Sequence, residues 1–333
     1  MSLDIKSLHI LVVEDIIPMQ DLTVRLLKAL GIGRVSVAAN GEDGYRAYCD
    51  QEPDIVLTDW KMPVSDGMKM LTQIRRGETS PNRTIPVIMM TGFSSKDRIS
   101  EARDSGVTEF LVKPFSAQDV TKRLAAIIKN PRDFIVAPGY VGPDRRRRRD
   151  EDHPEEEERR EKDTVRRIPG EQCLQKEAAA ALLNPISIER SQSVIDNDKT
   201  DFIPIVTRFL EQLAEAVEAA KSKDDPGRRE LRDIIDEVMQ IKANAKIFKY
   251  DLVGDLAGIM LDFLEELNEI DEFVIQIIDA HQKTLSHLVQ NRMEGNGGDI
   301  GKVLREELTG ACKRYMRTRA QDSKERFRQA REQ

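Results

Sequence analysis

IVLTDWKMPVSDG, residues 55–67, carries the pattern that decides the fold. Residues 55–58 are apolar or β-branched without alternation, as expected for a strand covered on both faces of a parallel sheet. The run stops at the acidic Asp59, passes turn signals at Pro63 and Asp66–Gly67, and enters a helical stretch at 68–75. Working outward, the same unit recurs. Apolar runs at 9–13, 35–38, 86–90 and 109–112 precede helix-like stretches at 19–30, 41–49, 96–104 and 117–129. Gly31 closes the first of these helices and Ser116 caps the last. Five strand–helix units within residues 1–130 predict a doubly wound α/β domain with a five-stranded parallel sheet.

The chain has 333 residues, enough for two modest cores. Charged residues make up 33% and aromatic residues 5%, a balance typical of exposed helix. The net charge of -7 gives no global attraction to nucleic acid or to an anionic membrane. Three cysteines (Cys49, Cys173 and Cys312) form no C-x-x-C pair, which argues against a disulfide framework or zinc site and for a reducing compartment. The N-terminus has no signal-peptide pattern, and no apolar run approaches the roughly 20 residues of a membrane span. A cytoplasmic location is expected.

Residues 131–170 hold Pro, Gly and the run DRRRRRDEDHPEEEERREKD, which leaves little to bury and predicts a charged flexible linker. Helical periodicity then dominates residues 171–325. An Ala-rich stretch at 172–183 is followed by helices predicted at 202–221, 228–248, 252–267 and 272–293, and by a last basic helix. The predicted inner stripes begin with Ile205, Phe209, Leu213 and Ala216 and end with Val274, Ile277, Ile278, His281, Leu285 and Leu288. Short breaks between the helices predict an all-α bundle.

The chemistry-bearing residues sit where the predicted strands end. Glu14 and Asp15 follow the first strand, Asp59 the third, Thr91 the fourth and Lys113 the fifth. Ligands of open parallel sheets bind at the carboxyl ends of the strands. Three carboxylates and a lysine crowded there call for a cation, and magnesium accepts a few carboxylates plus waters and a phosphate oxygen. Manganese is the expected substitute. In this reading Glu14, Asp15, Asp59 and the backbone carbonyl of Lys61 hold the metal. Asp59 is the nucleophile toward phosphate, and Lys113 and Thr91 contact the phosphoryl oxygens.

The acidic pair Glu14–Asp15, the Asp59 block with Met62–Pro63 and Asp66–Gly67, Thr91–Gly92 and Lys113–Pro114–Phe115 together resemble the receiver domain of two-component response regulators. The resemblance covers about the first 130 residues. It implies a flavodoxin-like fold, magnesium dependence, and phosphate supplied by a partner histidine kinase or phosphotransfer protein. It also implies a switch pair, Thr91 with an aromatic three residues before the lysine, here Phe110. Two positions depart from the family pattern: Glu14 replaces the commoner Asp, and Phe110 lacks a hydroxyl.

VMQIKANAKIFKY, within the second long helix, faintly resembles the core of histidine phosphotransfer domains, with Met239 at the position of the phosphorylatable histidine. A thioether accepts no phosphate, so the position is degenerate. His281 and His287 read as structural, and the alternating acids at 196–201 as helix capping. The sequence shows no helix-turn-helix, cyclase, esterase or ATPase motif. The expectation is a signalling switch, not an enzyme, whose helical part binds an unknown downstream protein, with a homodimer permitted and nucleic acid not expected. The alternatives are a phosphorelay or phosphatase component acting on phospho-aspartate through carboxamides such as Gln240 and Asn244, and then a DNA-binding regulator.

Overall fold

The computed structural model describes residues 5–93, 96–144, 166–170, 184–223, 227–267 and 269–332, and these separate into two compact units, 1–198 and 199–333. The predicted helix at 172–183 and the charge run from 145 onward lie outside the described residues.

In the first unit, five strands form one parallel sheet in the order β2-β1-β3-β4-β5. They are β1 (His9–Val13), β2 (Arg34–Ala38), β3 (Ile55–Asp59), β4 (Val87–Thr91) and β5 (Glu109–Val112). All residues of β1, β3 and β4 are buried, as the apolar runs predicted for strands covered on both faces. Helices α1 (Ile17–Ala29), α2 (Gly41–Gln51), α3 (Gly67–Arg76), α4 (Lys96–Asp104) and α5 (Ala117–Lys129) alternate with them. Asn40 and Asp66 cap α2 and α3 through their side chains, and Ser116 and Asp119 form a capping box on α5.

The segment predicted as a structureless linker differs from that expectation. Strands β6 (Phe134–Ala137), β7 (Tyr140–Pro143) and β8 (Arg166–Ile168) form an antiparallel sheet in the order β7-β6-β8. The average over residues 131–170 hides a short apolar stretch, FIVAPGYVGP at 134–143, whose Val141, Gly142 and Pro143 are buried together with Phe134. Phe134 is buried, and the buried Arg75 guanidinium stacks over its ring at 5.1 Å. Arg75 also donates to the carbonyls of Gly106 at 3.1 Å and Arg83 at 2.8 Å, so one arginine joins α3, the turn before β5 and the hairpin. A further helix, α6 (Pro185–Asp196), packs on α1 and α5. The sequence pattern singles out no helix there, and the residues fall within 171–325, the span read as the helical bundle. Its contacts place it with the sheet instead.

The second unit is helical: α7 (Ile203–Lys221), α8 (Arg228–Ala245), α9 (Asp251–Glu265), α10 (Glu272–Gln290) and α11 (Gly298–Glu332). α7 packs on α8, α8 on α9, α9 on α10 and α10 on α7, a closed ring of four, while α11 lies against α9 and α10. The inner stripe of α7 is displaced from the predicted one: Val206, Leu210 and Val217 are buried beside Phe209 and Leu213, while Ile205 and Ala216 are half-buried. Ile277 and His281 on α10 are likewise only half-buried. No described helix is long and apolar enough to cross a membrane.

Truncating Phe134 to Ala should destabilise the first unit by about 3–5 kcal/mol, the range for a fully buried phenylalanine. Urea unfolding of the chain measures it. A loss under about 0.5 kcal/mol, the range for exposed positions, would mean that the hairpin is not packed.

Candidate functional site

Three consecutive features place Asp59 at the mouth of the sheet. β3 ends at Asp59, its backbone turns through Trp60 to Val64, and Gly67 opens α3. The Gly67 N–H donates to the Trp60 carbonyl at 3.0 Å, and a β-carbon at position 67 would stand 2.1 Å from the Asp59 carbonyl oxygen. Only glycine permits that approach. Val64, β-branched yet at φ 68, is the strained point of this turn.

Glu14, Asp59 and Lys113 meet there and are buried. The Lys113 Nζ lies 2.8 Å from Glu14 Oε2 and 3.2 Å from Asp59 Oδ2. Glu14 Oε1 accepts from the Ile16 N–H at 3.3 Å, and Asp59 Oδ1 from the Trp60 N–H at 2.9 Å. Asp15, half-buried, completes the group: Glu14, Asp15 and Asp59 each offer a carboxylate oxygen within 4.8 Å of the others. Oxygens bound to one magnesium stand about 2.9 to 4.2 Å apart, given its metal–oxygen distance of about 2.1 Å. Small side-chain adjustments would therefore gather these three around one ion.

The electrostatics point the same way. Fully ionised, three carboxylates and one ammonium leave two uncompensated negative charges, the charge a divalent cation neutralises. Burial pushes the Glu14 carboxyl up to about 8 against the pull of Lys113, and the charges of Asp59 and Asp15 add to the rise. Burial raises Asp59 also, opposed by Lys113 and by the Trp60 N–H. Burial disfavours the charge of Lys113, yet Asp59 and Glu14 overcome it and hold the ammonium more firmly than in a free lysine.

The remaining predicted residues fall around this centre. Thr91 is buried at the end of β4, where its hydroxyl oxygen accepts from the Phe93 N–H at 3.0 Å. The Thr91 carbonyl accepts from the Lys113 N–H at 2.7 Å. Phe110 pairs in register with Met89, and Thr91 with Val112, so Thr91 and Phe110 share one sheet face as diagonal neighbours. Phe110 is half-buried against the core on that side. Lys61 lies in the turn after Asp59. Sequence reasoning passed over Trp60 and Phe93, whose rings meet edge-on at 5.5 Å beside Asp59 and Thr91. The only available signal was that each comes within two positions of a site residue.

In the second unit the sequence candidates are enclosed. Met239, Gln240 and Asn244 are buried, and Asn244 Nδ2 donates to the Gln240 carbonyl at 2.8 Å. The carboxamides named as candidates for attack on a phospho-aspartate are therefore not presented at the surface. His281 Nδ1 bonds the Ile277 carbonyl, and burial holds its pKa below the usual imidazole value. Of the acids at 196–201 read as capping for the next helix, Asp201 accepts from the Ile203 N–H at the start of α7, while Asp198 pairs with Arg25 within the first unit.

A family model described as the response regulator receiver domain matches residues 10–125. Chemotaxis protein CheY-3 of Vibrio cholerae is 32% identical over 124 residues, which cover 37% of this chain and 94% of that protein. The chain belongs to the response regulator receiver family. The phosphate regulon transcriptional regulatory protein PhoB of Pseudomonas aeruginosa is 28% identical over 120 residues, 36% of this chain and 51% of that protein. Among solved structures, the receiver domain of sensor histidine kinase PA1611 from Pseudomonas aeruginosa, with magnesium coordinated in its active-site cleft, matches at 30% identity and a TM-score of 0.32. That match covers 35% of this chain and 93% of that one. The receiver match ends well before the helical unit begins.

Because Glu14 and Asp59 are raised, the metal-free receiver holds these protons more tightly folded than unfolded. The Glu14 contribution to stability is present below about pH 4 and lost as pH rises toward about 8, and Asp59 acts in the same sense. His9 and His281 are held low by burial and act in the opposite sense. The melting-temperature difference between the wild-type chain and Glu14→Gln, both metal-free, should therefore fall from pH 5 to pH 8. Magnesium should stabilise the wild type more at the higher pH. Calorimetry checks both, and a difference independent of pH would rule out a proton held by Glu14.

Proposed function

We propose that this receiver is the phosphoryl-accepting switch of a two-component response regulator and that Asp59 is its phosphorylation site. The buried contact of Lys113 with both Asp59 and Glu14 supports this most directly, because it holds a fixed cation beside a carboxylate that must meet a phosphoryl group. An Asp59 carboxylate oxygen attacks phosphorus, the bond from phosphorus to a donor imidazole nitrogen breaks, and an acyl phosphate forms. The donor is a phosphohistidine of a histidine kinase or phosphotransfer protein.

Glu14, Asp15, Asp59 and the Lys61 carbonyl would hold magnesium, or manganese in its place. When bound, the metal supplies positive charge against the transferring oxygens. Lys113 offers its ammonium to a second oxygen, and the Thr91 hydroxyl leaves the Phe93 N–H to donate to a third. Thr91 moving toward the phosphate opens space on the face it shares with Phe110, and Phe110 moves inward after it. With no hydroxyl, Phe110 acts by packing alone. The readout is protein–protein: the helical unit engages a downstream partner in the cytoplasm and performs no chemistry of its own.

The purified chain incubated with a radiolabelled small phosphodonor and magnesium should take up label at Asp59. Asp59→Asn should take up none, chelation of the metal should abolish uptake, and Lys113→Ala should slow it by roughly 10²–10³-fold, the size of one lost oxyanion contact. Equal labelling of wild type and Asp59→Asn would overturn the assignment.

A further inference from the structure

Helix α6 lies on α1 and α5 with a narrow apolar seat. Only Ser191 and Ile195 are buried, Ile188 and Val194 are half-buried, and Ile186 faces solvent. Polar tethers do the rest. Gln192 Oε1 accepts from the Ala117 N–H at 3.0 Å, the Ser191 hydroxyl donates to the Leu26 carbonyl at 3.4 Å, and Arg25 on α1 pairs with the buried Asp198. Elements with so little buried apolar area are among the first in a domain to open.

The attachment points lie close to the site. Ala117 is the first residue of α5, so its N–H has no partner within the helix. The Ser116 hydroxyl serves the Asp119 N–H instead, and α6 supplies the acceptor that Ala117 needs. Ala117 stands four residues after Lys113, across Pro114, the buried Phe115 and Ser116. α1, which carries the other tethers, begins two residues after Asp15. Both helices that hold α6 therefore emerge directly from strands that carry the acidic pocket.

We propose that α6 is a strap that reads the occupancy of this pocket and leaves the α1–α5 face when the pocket fills. The inference rests on the phosphoryl-accepting reading above. In the ligand-free chain the Lys113 ammonium is tied to Glu14 and Asp59. A cation on the carboxylates and a phosphoryl group on Asp59 draw it to new oxygens, and the short connection to Ala117 has no slack to absorb the shift. The Gln192 bond fails once the distance passes about 3.5 Å or the N–H swings off line. α6 is then left with the Ser191–Leu26 bond, its narrow apolar seat and the Arg25–Asp198 pair, in which Asp198 is buried and Arg25 is partly in water. Release uncovers α1 and α5 for a partner protein and adds α6 to the chain joining the two units.

Hydrogen exchange of the full chain, read by mass spectrometry, tests this with magnesium plus beryllofluoride as the phosphoryl mimic. Fluorescence of Trp60, the chain's single tryptophan, reports in the same samples that the pocket has filled. Exchange across residues 186–196 should quicken by about tenfold on filling while β1 and β3 stay protected. Gln192→Ala should quicken it without ligand and leave the fluorescence response intact. A fluorescence response with unchanged exchange at 186–196 overturns the strap and leaves the site reading standing, as does fast exchange there before ligand is added. An absent fluorescence response overturns the site reading, and the strap's trigger with it.

Discussion

The Lys113 ammonium, shared between Glu14 and Asp59 and withdrawn from water, is the interaction on which the rest of this receiver depends. Burying ions is costly, and the pair repays that cost only where geometry and hydrogen bonding are close to ideal. Here the geometry comes from the sheet. β1, β3 and β5 deliver one charged residue each to the same end, and buried apolar strands leave these side chains no alternative position. The cluster stays short of neutrality by two charges when ionised. Burial raises the proton affinity of Glu14, the charges of Asp59 and Asp15 add to the rise, and the residual charge favours a divalent cation.

Substituting Glu for the commoner Asp at position 14 acquires a physical meaning in this arrangement. The longer arm lets one carboxylate oxygen reach Lys113 while the other accepts from the backbone at Ile16. Glu14 thus serves the ammonium as well as the acidic group. The turn after Asp59 is tuned in the same way. Asp66 caps α3, Gly67 lets the backbone pass close to Asp59, and Trp60 gives its N–H to the carboxylate.

Away from the pocket, a few specific contacts tie the sheet and its helices to the segments after α5. Arg75 satisfies two carbonyls and covers Phe134, and so helps seat the apolar hairpin against the domain. α6 is seated more lightly, through Gln192, Ser191 and Asp198. The helical ring of the second unit buries Met239, Gln240 and Asn244 in its interior. The segment that resembles a phosphotransfer motif therefore serves as core.

The parallel sheet and its acidic mouth were legible from residues alone, because a strand buried on both faces must be continuously apolar and the polar residue ending it must face the ligand edge. Periodicity also identified the helices of the second unit, but not their exact stripes: in α7 the buried positions depend on the neighbours it packs against, and Val206 and Val217 lie inside where Ile205 and Ala216 were expected. The hairpin at 134–143 is itself an uncharged apolar stretch, FIVAPGYVGP, hidden because the charge run from 144 onward dominates the segment; Phe134, Val141, Gly142 and Pro143 are buried there. The membership of α6 was equally hidden, because Gln192 and Asp198 reveal their partners only once α1 and α5 lie side by side. Sequence by itself determined which charged and hydroxyl residues stand at which strand ends, for that depends on local polarity. Tertiary structure alone decided which charges touch and which later segments rest on the receiver, for those depend on contacts between residues far apart in the chain.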